Sequence, residues 1–249
     1  MSTRDELYQA VLDQPDRDGP RLRYAEYLEK QGDELGEFIR LAVDRVRNRL
    51  GDNYDRSLEL HNKFSKTLAA QLAPWIKSHQ LDRGLVAFAD MEAKNFVDHG
   101  YELFKRAPIQ HAYLLNAKLV FSQIMNSETL LRVQALTIED NHLTDHETSL
   151  LAANPNIRNL IYLNLSGNKI GEAGFEALTA SKYLPKLKVL HLDGNLVESP
   201  VARYSSDGYS TFYEGFGPFR YVLVEKYGEK AWMEPPQNYD IFRLCDAGE

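Results

Sequence analysis

The chain predicts an α/β fold in which short parallel strands alternate with helical return segments and stack by repetition. Three observations carry this expectation. Asn141, Asn168 and Asn195 are spaced 27 residues apart, twice over. Each closes the same pattern, L-x-L-x-x-N, from Leu136, Leu163 and Leu190, with Ile138 replacing one leucine. Between them apolar residues return at helical spacing: Leu143, Leu150 and Leu151, then Ile170, Ala173, Phe175, Ala177 and Leu178. Self-similarity at a fixed period decides the architecture before any single residue is weighed. Strands alternating with helices favour a parallel sheet.

The N-terminal part reads as four helices. Thr3-Arg4-Asp5-Glu6 is a capping box, Leu7, Ala10 and Val11 follow at helical spacing, and Pro15 ends the helix. A second helix opens at Asp18-Gly19-Pro20, with Pro20 suited to the first helical position; it carries Leu22, Ala25 and Leu28 and stops at Gly32. The third begins near Asp33, has Leu35, Phe38, Ile39, Ala42 and Val46 as its stripe, and fades at Gly51. The fourth spans about Tyr54 to Gln71, with Leu58, His61, Phe64, Leu68 and Leu72 on one face, and Pro74-Trp75 closes it. Residues 1–80 are therefore expected to form an all-helical N-terminal module. Its apolar faces would bury against the end of the repeats, because terminal repeats need covering.

From Gly84 the pattern changes. Leu85-Val86-Ala87-Phe88 reads as a short strand with Val86 and Phe88 inward. A helix from about Ala93 to Lys105 follows, with Phe96, Val97, Tyr101 and Phe104 apolar, and Pro108-Ile109 lead into Ala112-Tyr113-Leu114. L-x-L-x-x-N is the strand segment of a leucine-rich repeat, and the 27-residue period with helical returns marks its longer, helix-backed type. Two weaker repeats precede the three clear ones, with Met91 and Ala117 at the asparagine position. Residues 81–200 thus hold about five repeats with a parallel concave sheet. An inward amide at each strand end can both donate to and accept from turn backbone left unpaired there, so Asn141, Asn168 and Asn195 read as a structural ladder. From Val201 the period breaks. Residues 203–242 carry 11 of the chain's 27 aromatic residues. Ser205-Ser206-Asp207-Gly208 reads as a loop or turn, Phe219 to Tyr227 as a helix ended by Gly228, and Pro235-Pro236 as a loop. Residues 201–249 are expected to be an aromatic C-terminal cap, with Tyr204–Phe216 either in that cap or a lid beside the sheet.

Leu12-x-x-Pro15-Asp16-x-Asp18-x-Pro20-Arg21-Leu22-x-Tyr24-Ala25-Glu26-Tyr27-Leu28-Glu29, then Gly32-Asp33-x-x-Gly36-Glu37-Phe38-Ile39-Arg40-Leu41, closely resembles the bacterial repeat-companion domain, a small helical domain that precedes leucine-rich repeats. The resemblance continues through Trp75, Arg83-Gly84-Leu85-Val86 and Leu103-Phe104-x-x-Ala107-Pro108-Ile109, and covers about residues 5–200. Glu26-Tyr27-Leu28 stands where the family usually has Asp-Trp-Leu; after residue 200 the likeness is confined to Glu225-Lys226-Tyr227-Gly228. The resemblance implies a protein–protein interaction role in a bacterial cytoplasm and carries no catalytic residues.

Composition narrows the function classes. The formal net charge of −7 disfavours nucleic acid and anionic membrane, which call for a basic surface. No apolar run is long enough to span a bilayer, and the polar N-terminus lacks a signal-peptide pattern, so a soluble cytoplasmic protein is expected. One cysteine, Cys245, excludes an internal disulfide, and no cofactor or metal is expected. Asp13 to Gly19 faintly echoes a calcium loop but has Tyr24 where the bidentate glutamate belongs. His142 and His146 have a metal-compatible spacing but no evident third ligand. Arg40, Arg45, Arg47 and Arg49 read as a solvated or ion-paired helix face.

Strand residues between the leucines point to the concave face. One row is Tyr113, Thr137, Asn164 and His191; the next is Leu115, Glu139, Ser166 and Asp193; a third holds Asn116, Asp140, Gly167 and Gly194, and Lys188 borders them. A rigid sheet with mixed polar and aromatic groups suits ligand recognition. The expected function is a non-catalytic recognition or scaffold protein binding a protein or peptide there, with a basic segment favoured by Glu139, Asp140 and Asp193. The alternative is an accessory substrate- or leader-binding subunit of an enzyme or peptide-modifying system. A hydrolase built on Glu139, Asp140 and His191 lacks any nucleophile motif.

Overall fold

The computed structural model describes residues 2–47, 51–197, 203–206, 211–214, 218–236 and 239–245. Four helices come first: α1 (Thr3–Asp13), α2 (Asp18–Lys30), α3 (Glu34–Val46) and α4 (Tyr54–Ala70). The capping box of α1 lies one residue earlier than the Thr3–Glu6 frame. Ser2 Oγ accepts from the Asp5 N–H at 3.3 Å, and the Asp5 carboxylate accepts from the Ser2 N–H at 3.0 Å. Asp33 caps α3 by accepting from Leu35 N at 3.0 Å. Pro20 sits in the first turn of α2 rather than at its first position, which Asp18 takes. The buried side of α4 runs through Ser57, Leu60, Leu68 and Leu72, leaving Leu58 44% exposed. Leu60, Phe64, Leu68 and Leu72 recur every fourth residue, and Phe64 stacks on Phe38 of α3 with ring centroids 5.6 Å apart. The helix is turned so that Leu60, not Leu58, enters the core.

A hairpin joins these helices to the sheet. Strand β1 (Ser78–Asp82) pairs antiparallel with β2 (Leu85–Glu92). Arg83 and Gly84 form the two-residue connection, both at positive φ (48° and 80°), the backbone that matches the twist of hairpin strands. Gly84 is pressed against α3: a Cβ there would lie 2.8 Å from Ile39 Cα. The polar sequence of β1 hid it, because an edge strand needs no apolar alternation. β2 is longer than Leu85–Phe88 and is buried on both sides from Leu85 to Ala89. The expected boundary at residue 80 falls inside β1.

Parallel strands follow in chain order: β3 (His111–Leu115), β4 (Ala135–Thr137), β5 (Tyr162–Asn164) and β6 (Val189–His191). Helices α5 (Ala93–Arg106), α6 (Phe121–Asn126), α7 (Asp145–Ala152) and α8 (Glu172–Ala180) stand between successive strands from β2 to β6. The six strands make one mixed sheet in the order β1-β2-β3-β4-β5-β6, parallel from β2 onward. The pairing register matches the sequence period, with Leu136 opposite Leu163 and Leu163 opposite Leu190. Met91, however, pairs with Leu114. It therefore occupies a leucine position, not the asparagine position assigned to it. In α5 the buried residues are Ala93, Phe96, Gly100, Leu103 and Phe104, and Tyr101 is 68% exposed. Leu150 of α7 also faces out, its place in the core taken by Thr148 and Leu151.

The C-terminal part contains an antiparallel pair, β7 (Arg203–Ser206) and β8 (Thr211–Glu214), then α9 (Pro218–Tyr227) and α10 (Ile241–Cys245). Ser205 and Ser206 are thus strand residues, whereas Tyr209 and Phe216 lie outside the described residues. One apolar core runs from Val11 in α1 through the sheet to Leu223, Trp232 and Met233. Ala135, Tyr162 and Val189 form a separate small cluster on the other face of the sheet, covered by Tyr239, Ile241 and Leu244. Among the described residues no helix is long and apolar enough to cross a membrane.

Candidate functional site

Alternation along each strand sends leucines into the core and their neighbours to the opposite face. At the strand ends the three asparagines are occupied with backbone. Asn168 Oδ1 accepts from Asn141 N (3.1 Å) and Leu143 N (3.0 Å), while its Nδ2 donates to the carbonyls of Ile138, Leu165 and Ser166 at 2.8, 2.9 and 3.2 Å. Asn141 accepts from Ala117 N at 2.5 Å and donates to Glu139 O at 2.6 Å. Asn195 accepts from Ile170 N at 3.0 Å and donates to Leu165 O and Leu192 O at 3.0 and 2.8 Å.

The third expected row, Asn116, Asp140, Gly167 and Gly194, belongs to the turns. All four have positive φ, 55°, 54°, 67° and 70°. Asn, Asp and Gly are the residue types that tolerate this backbone, so the row was legible as turn chemistry. Asp140 folds over Gly167, where a Cβ would come within 1.9 Å of its carboxylate.

The first two rows meet in a hydrogen-bonded ledge. Tyr113 Oη donates to Glu139 Oε1 at 2.5 Å, and Asn164 Nδ2 donates to Glu139 Oε2 at 2.9 Å. Burial and the Glu139 carboxylate push the Tyr113 hydroxyl above its usual pKa. Leu115 and Ser166 are half-buried at the same level, and Asp193 is exposed. Glu139 thus has both oxygens in the ledge, and His191 bonds Tyr239.

A further row on this face escaped the sequence reading: Phe88, His111, Ala135, Tyr162 and Val189, in register across the sheet, the last three each one residue before the L-x-L pattern. Strand alternation alone places it beside Thr137 and Asn164. Its rings touch across the sheet. Phe88 and His111 have centroids 4.8 Å apart, His111 and Tyr162 5.7 Å, and Tyr162 and His191 5.4 Å. His111 bonds Thr137 Oγ1 at 2.9 Å, and burial pushes its pKa down to about 4. The C-terminal segment lies on this row. Tyr239 bonds His191, Arg243 pairs with Asp82, and Lys188 Nζ donates to the Leu244 carbonyl at 3.2 Å. The aromatic tail therefore divides. α9, Trp232 and Met233 join the main core at the end of the sheet, and residues 239–244 cover part of its face.

The Asp13–Gly19 loop holds a guanidinium. Arg83 donates to the Asp16 carbonyl at 3.0 Å and to Asp18 at 3.1 Å. Arg47 pairs with Asp18 at 2.7 Å and Arg40 with Glu29 at 2.9 Å, so these arginines bond acids of the helical part, and Arg49 lies outside the described residues. His142 and His146 are exposed. Among the described residues no group of three or more histidine, cysteine, aspartate or glutamate side chains is placed to hold a metal ion. The fold and this face define a mixed α/β protein with a mainly parallel sheet. No family model, curated protein or solved structure matches the chain.

Proposed function

We propose that the chain is a leucine-rich-repeat solenoid with a helical N-terminal module, and that it is a non-catalytic recognition protein binding a protein or peptide on the polar face of its sheet. Support for the repeat reading comes from the agreement between the 27-residue sequence period and the strand register, and from the asparagine contacts to the turns. One observation carries the functional reading. The face is continuous across five parallel strands and bears the Tyr113–Glu139–Asn164 ledge beside Asp193, an acidic and amide-rich surface on a rigid support. Such a surface suits a partner segment bearing lysine or arginine. A cytoplasmic setting fits this reading.

Affinity capture from the native host tests it, using wild type beside Glu139→Lys/Asp193→Lys. Proteins retained by wild type should be lost from the charge-reversed chain and weakened by raised salt. Identical retained proteins would rule out this face as the site.

A further inference from the structure

We propose that the aromatic row beneath the C-terminal segment is a peptide-acceptor groove, and that residues Tyr239–Leu244 are its resident occupant. A partner segment of the same chemistry displaces them: a tyrosine, an aliphatic residue two positions on, then arginine and leucine. This rests on the binding reading of the sheet face and specifies one part of it.

The contacts divide like those of a recognised peptide. The Tyr239 hydroxyl bonds His191, and its ring lies 6.2 Å from both Tyr162 and His191. Ile241 and Leu244 rest on the apolar strip of Ala135, Tyr162 and Val189. Arg243 pairs with Asp82, a carboxylate that is only 4% exposed and is already bonded to Arg83. The acceptor thus supplies a histidine at β6 that bonds the tyrosine hydroxyl, an apolar floor in the middle and an acid at β1. Each element reads a different side chain, which is how side-chain pockets give a peptide site its specificity.

The same contacts make the segment exchangeable. Its apolar residues form a cluster distinct from the main core, whereas Trp232 and Met233, a few residues earlier, are part of that core. Tyr239, Ile241, Arg243 and Leu244 are all only half-buried. Lifting the segment uncovers Tyr162 and Val189 without opening the interior. An intramolecular occupant competes at a high effective concentration, so a partner must match its anchors to replace it.

The test uses the full chain and a labelled synthetic peptide of residues 237–249, followed by fluorescence anisotropy. A chain carrying Ile241→Asp and Leu244→Asp should stay folded, with a melting temperature only a few degrees lower because the resident contacts are lost, and bind the peptide at least about tenfold more tightly than wild type, because the resident competitor is gone. Adding Tyr162→Ala to that chain, or Ile241→Asp to the peptide, should abolish the gain. Equal affinity of wild-type and released chains, or no binding to either, overturns the proposal. So do wild-type dimers that dissociate in the released variant, which would assign the occupant to a second copy. If the peptide fails while partner capture still depends on Glu139 and Asp193, only the acceptor assignment falls. If both fail, the binding reading falls with it.

Discussion

At the scale of single residues, the ladder asparagines act through backbone rather than ligand. Asn168 makes five contacts to turn groups while only 4% exposed. Asn168→Ala strands those groups and should cost about 2–4 kcal/mol, whereas Lys169→Ala, one exposed residue on, should change little. Equal melting temperatures for the two variants would remove the structural role. His111 carries a pH dependence of known sign. It titrates near 6.5 when unfolded and about 4 when folded. Between those values the unfolded chain takes up a proton that the folded one refuses. Stability is therefore full above pH 6.5 and declines as pH falls toward 4. Thr137, Phe88 and Tyr162 surround the ring, and Gln80, Asp240 and Ile241 line the adjoining cavity. At about pH 5 the loss should be roughly 2 kcal/mol, and His111→Gln should flatten the melting-temperature profile between pH 4 and 6.5. The asparagine positions were readable because they repeat in identity. The His111 row was not, because Phe, His, Ala, Tyr and Val share no residue type, only a place in the alternation.

At the scale of elements, the joint between helices and sheet concentrates charge. Arg83 bonds Asp82 and Asp18, Arg47 bonds Asp18, and Arg243 bonds Asp82. Arg21 of α2 lies beside them fully buried, and its guanidinium has no hydrogen-bond partner among the described residues. Burial first, then the Arg83 charge, lowers its pKa to about 10. Three arginines already face these two aspartates, so Arg21→Met should remove an uncompensated charge and raise stability by about 1–3 kcal/mol. A fall in the chemical-denaturation midpoint would show that Arg21 is needed where it stands. The long helices were legible from their caps and spacing: Gly32 ends α2 and Asp33 caps α3. Their rotation was less so. In α4 two apolar stripes share Phe64, Leu68 and Leu72, and tertiary packing buries Leu60 while leaving Leu58 outside.

At the scale of the molecule, one core links α1 to the Trp232–Met233 turn. Helices and sheet should therefore unfold together. A Trp75→Phe chain leaves Trp232 as the reporter at the far end, and its fluorescence transition should coincide with far-UV circular dichroism in denaturant. Two separated midpoints would divide the chain into independent units. The repeating part was visible in sequence because its period is strict, whereas the division of the tail between end cap and face depends on a return contact from residue 243 to residue 82 that no local pattern announces. That contact has a mechanical side. Tyr239 is fastened at the last strand of the sheet and Arg243 at the first, so the segment spans the array like a string across a bow. While both ends hold, the two edge strands of the sheet are linked by one short stretch of chain, so a substitution at Asp82 and one at His191 bear on the same six residues.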